Sequence, residues 1–149
     1  MFIFRNPTRA EWSLICLCLL VFAAVVVPFG LWTDFYRWTA PPDGLELLRM
    51  AAVIFVIPAI GEELIFRGPL IWLQEKRGRA PVWAIALSLG AFIAWHPINA
   101  FTFMPQAAAI FLDLRFLLIA TLLGAVATVM ALRTRSIWPP IVFHWALVL

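Results

Sequence analysis

Three charged residues crowd one apolar stretch of the chain: Glu62, Glu63 and Arg67 in Pro58-Ala59-Ile60-Gly61-Glu62-Glu63-Leu64-Ile65-Phe66-Arg67. The only two histidines, His96 and His144, also fall in apolar runs. Glu63 and Arg67 are four apart with the glutamate first, the favourable spacing for a helical ion pair. Glu62 is turned about 100° away around the helix axis and has no evident local partner. A carboxylate and an imidazole bracketing a water molecule are what general-base hydrolysis requires. The spacing thus gives one structural pair and one carboxylate free to work with the histidines. At this point a blander reading stands beside it: the three charges form a network that holds a bundle together, and each histidine merely bonds a backbone carbonyl.

The elements that position these residues must be membrane helices. Of the 149 residues, 64% are hydrophobic, against about 45–50% in globular chains. Charged residues are 13%, about half the usual ~25%. A soluble sphere this small could not hide so much apolar surface. The net charge of +3 does not point to nucleic acid, because no lysine or arginine cluster is long enough to track phosphates. No internal repeat, soluble domain or low-complexity tail is visible. The expectation is an all-α polytopic protein of the cell's inner membrane, residues 1–149 forming one integral-membrane domain.

Five apolar runs follow one another. Trp12 to Trp32 is nearly uninterrupted, too long for a cleaved signal peptide, and spans one hydrocarbon core of about 30 Å. The second runs from near Leu45 to about Trp72, the third from about Pro81 to His96 or further, and the fourth from Phe116 to Leu132. The fifth, Ile137 to Leu149, rises only about 20 Å, so its end is expected inside the bilayer or in a wet cavity. Ile98 to Leu112, broken by Pro105 and Gln106, reads as a re-entrant or interfacial loop, with a sixth crossing as the alternative. Arg5 and Arg9, Lys76, Arg77 and Arg79, and Arg133 and Arg135 gather on one side. By the positive-inside rule that side, with the N-terminus, is cytoplasmic.

Prolines mark where a cavity could open. Pro58 precedes Glu62 by four, Gly68-Pro69 follows Arg67, and Pro139-Pro140 precedes His144. Each is expected to break the helical ladder, which membrane depth tolerates where the backbone lines a buried or wet site. Trp12, Trp32, Trp38, Trp72, Trp83 and Trp138 lie near run ends, as interfacial belts do. Trp95 and Trp145 each adjoin a histidine and are expected to pack around the site. Cys16 and Cys18 read as small apolar fillers, with palmitoylation as the alternative.

At the charged residues the chain resembles the CAAX-protease and bacteriocin-processing (Abi) family of glutamic intramembrane proteases. The Glu-Glu-x-x-x-Arg motif is matched by Glu62, Glu63 and Arg67. Phe-x-x-x-His is matched by Phe92 and His96, and a histidine on a later helix by His144. The likeness covers about Val53 to Val148, within a protease core of about 45–149. It implies that Glu62 and His96 activate water, that Glu63 and Arg67 shape the site, and that His144 donates to the oxyanion. The family usually carries Asn or Asp four residues after that histidine, where this chain has Val148; Asn99 is the first candidate to replace it. The implied substrate is a membrane-anchored protein cut near the bilayer. Small members of the family look like processors of C-terminal sorting signals, akin to myxosortases; lipid-modified proteins are the other implied class.

No cofactor is expected. The alternative is a catalytic zinc gathered by Glu62, His96 and His144, since three protein ligands and a water are a legitimate count. A non-enzymatic alternative is a proton relay in a small transporter, or a membrane scaffold or immunity protein. A relay should string polar groups across the bilayer, whereas this chain concentrates them at one level.

Overall fold

A computed structural model describes residues 2–37, 40 and 42–149; Trp38 falls outside them. Among the described residues the regular structure is entirely helical. Helix α1 (Arg9–Trp32) opens on a capping box: Thr8 Oγ1 accepts from the Glu11 N–H, and the Glu11 carboxylate accepts from the Thr8 N–H at 2.7 Å. Two orphan donors are thereby satisfied. At its far end the chain turns back, and the N–H groups of Phe35 and Tyr36 both donate to the Gly30 carbonyl. The Tyr36 ring then lies flat on Gly30, where a Cβ would stand 2.1 Å from the ring carbon Cδ2.

Gly44–Arg77 forms one long helical crossing in several pieces. Helix α2 (Gly44–Ile54) is capped by Asp43, and a π-helical segment, Phe55–Glu62, follows it. Helix α3 (Glu63–Phe66) ends at Arg67, and α4 (Gly68–Arg77) carries the chain to Gly78, whose φ of 75° closes the helix in the left-handed conformation. Next come α5 (Val82–Phe101), a 3-10 turn (Pro105–Ala107) and the single turn α6 (Ala108–Phe111). Helices α7 (Leu114–Thr134) and α8 (Trp138–Val148) complete the fold.

Four helical stretches are long and apolar enough to cross a membrane: Arg9–Trp32, Gly44–Arg77, Val82–Phe101 and Leu114–Thr134. The fifth expected crossing is α8, whose 11 residues rise only about 16 Å. Two boundary expectations are corrected. The loop expected from Ile98 starts later, since α5 extends through Pro97 to Phe101; one missing N–H removes a single ladder bond. Only 102–113 remains as the connection. Pro139 and Pro140 do not break α8 but begin it, where the first-turn N–H groups have no helical acceptor in any case. Pro69 likewise opens α4.

The core gathers around α7 and α8. Ala120, Gly124, Ala127 and Ala131 on α7 are buried, a small-residue stripe that lets neighbouring backbones approach closely. Leu114, Leu118, Leu122 and Val129 on the same helix point outward, so α7 is apolar on all sides, as helices in a hydrocarbon solvent are. Helix α1 joins this core through Ile15, Phe22 and Val26, packed with Phe92, Leu123 and Phe143. The N-terminal segment closes one end of the bundle. Ile3 is buried, its carbonyl accepts from the Ile137 N–H at 2.8 Å, and the Arg5 carbonyl accepts from the Ser136 hydroxyl at 2.6 Å. The Arg5 guanidinium pairs with Glu11 and donates to the Thr134 carbonyl.

At the opposite end, Asp113 caps α7 and pairs with Arg115, which holds the Asp113 carboxyl down at about 2. Arg115 also donates to the Thr33 carbonyl and stands over the Phe35 ring, tying the turn after α1 to the start of α7. Substituting Gly30→Ala should unseat Tyr36 at a cost of roughly 1–3 kcal/mol. The check is a lowered thermal midpoint in detergent together with faster proteolysis after Trp32; an unchanged midpoint would show that the fold does not depend on this contact.

Candidate active site

Glu62 stands at the last position of the π segment and Glu63 at the first position of α3. The segment has a local cause. Pro58 has no N–H for the Ile54 carbonyl, and i→i+5 spacing lets the next residue, Ala59, serve it instead. The extra residue per turn changes the angle at which the following side chains leave the helix, and Glu62 and Glu63 are the first two of them. After Arg67, Pro69 withholds a second N–H and the helix restarts as α4. At that break Ser88 of α5 donates its hydroxyl to the Phe66 carbonyl at 2.5 Å.

Glu63 and Arg67 are completely buried. Arg67 Nη1 donates to Glu63 Oε1 at 3.2 Å, and Nη2 donates to the Gly124 carbonyl at 3.0 Å. The guanidinium carbon lies 4.1 Å from the Phe92 ring centroid, a desolvated cation–π contact. The Gly124 carbonyl also accepts from Thr128 Oγ1 at 2.7 Å. A Cβ on Gly124 would meet Leu89 and Phe92 at 2.9 Å and Arg67 Nη2 at 3.0 Å. Glycine at this place on α7 is what admits the guanidinium.

His144 reaches the same cluster from α8. Its Nδ1 is 2.9 Å from Glu63 Oε1, and its Nε2 is 3.9 Å from Glu62 Oε2. A carboxylate paired with Arg67 accepts, so Nδ1 carries a proton and the ring is fixed with Nε2 towards Glu62. Glu62 is not without a partner, as its position on the helix had suggested: Trp95 Nε1 donates to its Oε1 at 3.1 Å. Among the described residues no group donates to Glu62 Oε2 or to Glu63 Oε2, and both are buried.

His96, one residue after Trp95, is buried and sits 3.0 Å through Nδ1 from the Phe92 carbonyl. A carbonyl can only accept, so Nδ1 donates and Nε2 keeps its lone pair, as a base requires. Its ring packs edge-on against Phe92, Phe111 and Phe116 with centroids 5.1–5.6 Å apart. His144 is also edge-on to Phe92, at 6.0 Å. Phe92 is therefore the common floor beneath Arg67 and both imidazoles.

A cavity of about 700 Å³ opens between the π segment and α5; Glu62, Trp95, His96, Asn99 and His144 are among its lining residues. Asn99 is buried on the last turn of α5, and among the described residues its side chain makes no hydrogen bond. A second cavity of about 780 Å³ lies towards α1 and α7, and His96, His144, Phe111, Phe116 and Val148 border both. Glu62, Glu63, Arg67, His96, His144 and Asn99 are thus drawn to one region from four helical pieces. Among the described residues no three His, Cys, Asp or Glu side chains are placed to hold a metal ion.

Three contributors were not apparent from sequence. Trp95 was expected only to pack, yet it holds Glu62. Gly124 and Thr128 carry no motif, although the spacing Ala120-x-x-x-Gly124 hints at a close helix approach. Gly124→Ala should displace Arg67 and lower the thermal midpoint, by roughly 1–3 kcal/mol of overpacking. Gly90→Ala, which meets nothing within 4 Å, should leave the midpoint unchanged or raise it slightly through helix propensity. Equal effects of the two substitutions would show that the Arg67 seat does not depend on Gly124.

No curated protein and no solved structure matches the chain significantly. Residues 44–149 match the family model described as type II CAAX prenyl endopeptidase Rce1-like. The match begins at the first residue of α2 and takes in every residue of the cluster, leaving α1 and the segment before it outside. By that match the chain, an all-helical, multi-pass membrane protein over its described residues, belongs to the type II CAAX prenyl endopeptidase Rce1-like family of proteases.

Proposed function

We propose that the chain is a glutamic intramembrane endopeptidase in which Glu62 and His96 activate the attacking water. The observation that carries this reading is the Glu62 carboxylate: mostly buried, tied through Oε1, and with Oε2 shielded and, among the described residues, unpaired beside a cavity that His96 and His144 share. A water held between Glu62 Oε2 and the His96 Nε2 lone pair gives up a proton to Glu62 as its oxygen attacks the scissile carbonyl carbon. The carbonyl oxygen becomes an oxyanion that accepts an N–H from the Nε2 edge of His144, the edge that the Nδ1 contact with Glu63 leaves towards the cavity. Collapse of the tetrahedral intermediate breaks the C–N bond, and the proton on Glu62 passes to the leaving amine. Glu63 and Arg67 fix the His144 ring and do not touch the substrate.

Val148 offers no hydrogen bond where the wider family carries Asn or Asp, and Asn99 takes that place as a second oxyanion donor. A preorganised donor of this kind contributes about 2.7–4 kcal/mol in well-studied hydrolases. The substrate is the C-terminal sorting signal of a membrane-anchored protein, or a lipid-modified protein, cut at the bilayer of the cytoplasmic membrane. The largely apolar cavity lining suits such a segment.

Protein C-termini compared by mass spectrometry in cells making wild type or Glu62→Gln, at equal membrane levels, test this reading. Termini that disappear only in the variant are expected; identical termini would sink the assignment in favour of a membrane scaffold. With that substrate in hand, Asn99→Ala should cut turnover by about 10²–10³. Adding Val148→Asn should restore part of it. Full activity in Asn99→Ala would remove Asn99 from the oxyanion site.

A further inference from the structure

We propose that Trp95 is a positioning residue for the water-activating carboxylate: its indole N–H holds Glu62 Oε1 and so presents Oε2 to the cavity and to His144. The inference rests on the reading of Glu62 as general base. A glutamate side chain has three rotatable bonds, and an unrestrained carboxylate exchanges its two oxygens by rotating about the last of them. Among the described residues the indole nitrogen is the only group within hydrogen-bonding distance of the Glu62 carboxylate, at 3.1 Å. An indole N–H donates and never accepts, so the contact specifies which oxygen is engaged and leaves the other for water.

The donor is itself held. The Trp95 ring lines the cavity wall beside Glu62 and packs against Phe103 with centroids 6.2 Å apart. Phe103 belongs to the connection after α5, and Phe111 of the same connection packs on His96. Consecutive helical residues diverge by about 100°, so Trp95 and His96 can address opposite sides of the site while one segment buttresses both. A tryptophan serving only an interfacial belt turns its N–H towards water and headgroups. This one turns it to a mostly buried acid.

Trp95→Phe keeps an aromatic ring against Phe103 and removes the donor. Measured on the substrate found by the C-terminal comparison, kcat should fall about ten- to hundred-fold, the weight of one hydrogen bond to a charged group. KM should stay within about twofold and the thermal midpoint should be unchanged. A packing role would instead lower the midpoint and leave kcat of the folded protein intact, which overturns the proposal. An independent arm needs no substrate. In protein labelled with ¹⁵N-tryptophan, the Trp95 indole resonance, identified by its loss in Trp95→Phe or Trp95→Tyr, should move upfield in Glu62→Ala as the N–H loses its acceptor. A resonance that ignores Glu62→Ala overturns the contact. Should wild type cleave nothing, the general-base reading fails, and the indole signal still decides whether Trp95 holds Glu62.

Discussion

One buried oxygen, Glu63 Oε1, carries the arrangement. It accepts from Arg67 at 3.2 Å and lies 2.9 Å from His144 Nδ1, so a single atom joins the break after α3 to α8. Arg67 extends the tie to the Gly124 carbonyl on α7 and to the Phe92 ring on α5. Removing one member of such a buried set costs about 3–5 kcal/mol, because the remaining charge is stranded without water. In a hydrocarbon surrounding there is no solvent to take over the lost bond. Four helical pieces therefore hold their mutual positions through the same interaction that fixes the His144 ring. Structural and chemical demands fall on the same atoms.

Departures from the regular α-helical ladder gather around this cluster. The π segment, the restart after Arg67 and the proline-bearing turn of α5 are all near the acid and the two histidines. A helix in a bilayer can forgo ladder bonds only where protein groups serve the freed carbonyls. Ser88 does so for Phe66 at the break after α3, while Thr128 and the Trp145 indole (2.9 Å) each add a second donor to a carbonyl inside a helix, those of Gly124 and Ala51. Hydroxyls and indoles in these apolar helices thus use their donors inside the protein, on backbone carbonyls or, for Trp95, on Glu62.

Much of this was legible from residue types and spacing. Charges are so costly in an apolar helix that Glu62, Glu63 and Arg67 declare a buried site wherever they occur, and two histidines in membrane runs extend it. Helix ends were legible to within a few residues because hydrophobicity changes sharply there. What escaped depends on distances between helices or on register. Gly124 matters because a guanidinium approaches it from another helix, which one strand of sequence does not record. The π segment shifts the backbone by a single residue and leaves the composition untouched. Trp95, near the end of an apolar run, has the same one-dimensional appearance as a belt tryptophan. Pro139-Pro140 read as a break because a proline pair looks alike in the first turn and in the middle of a helix, while only in the first turn does it cost no ladder bond.

The bonds between the N-terminal segment and the α7–α8 turn have a consequence for biosynthesis. They join residues 129–134 positions apart, and His144 is carried by α8, which is made after every other element of the cluster. During synthesis α1 and the acid-bearing helices enter the bilayer long before their partners exist, and the Glu63–Arg67 pair must hold its charges together without His144. Closure of such distant contacts comes late in assembly. A cluster that is complete only once α8 has joined the earlier helices is still unassembled on the ribosome and in the translocon.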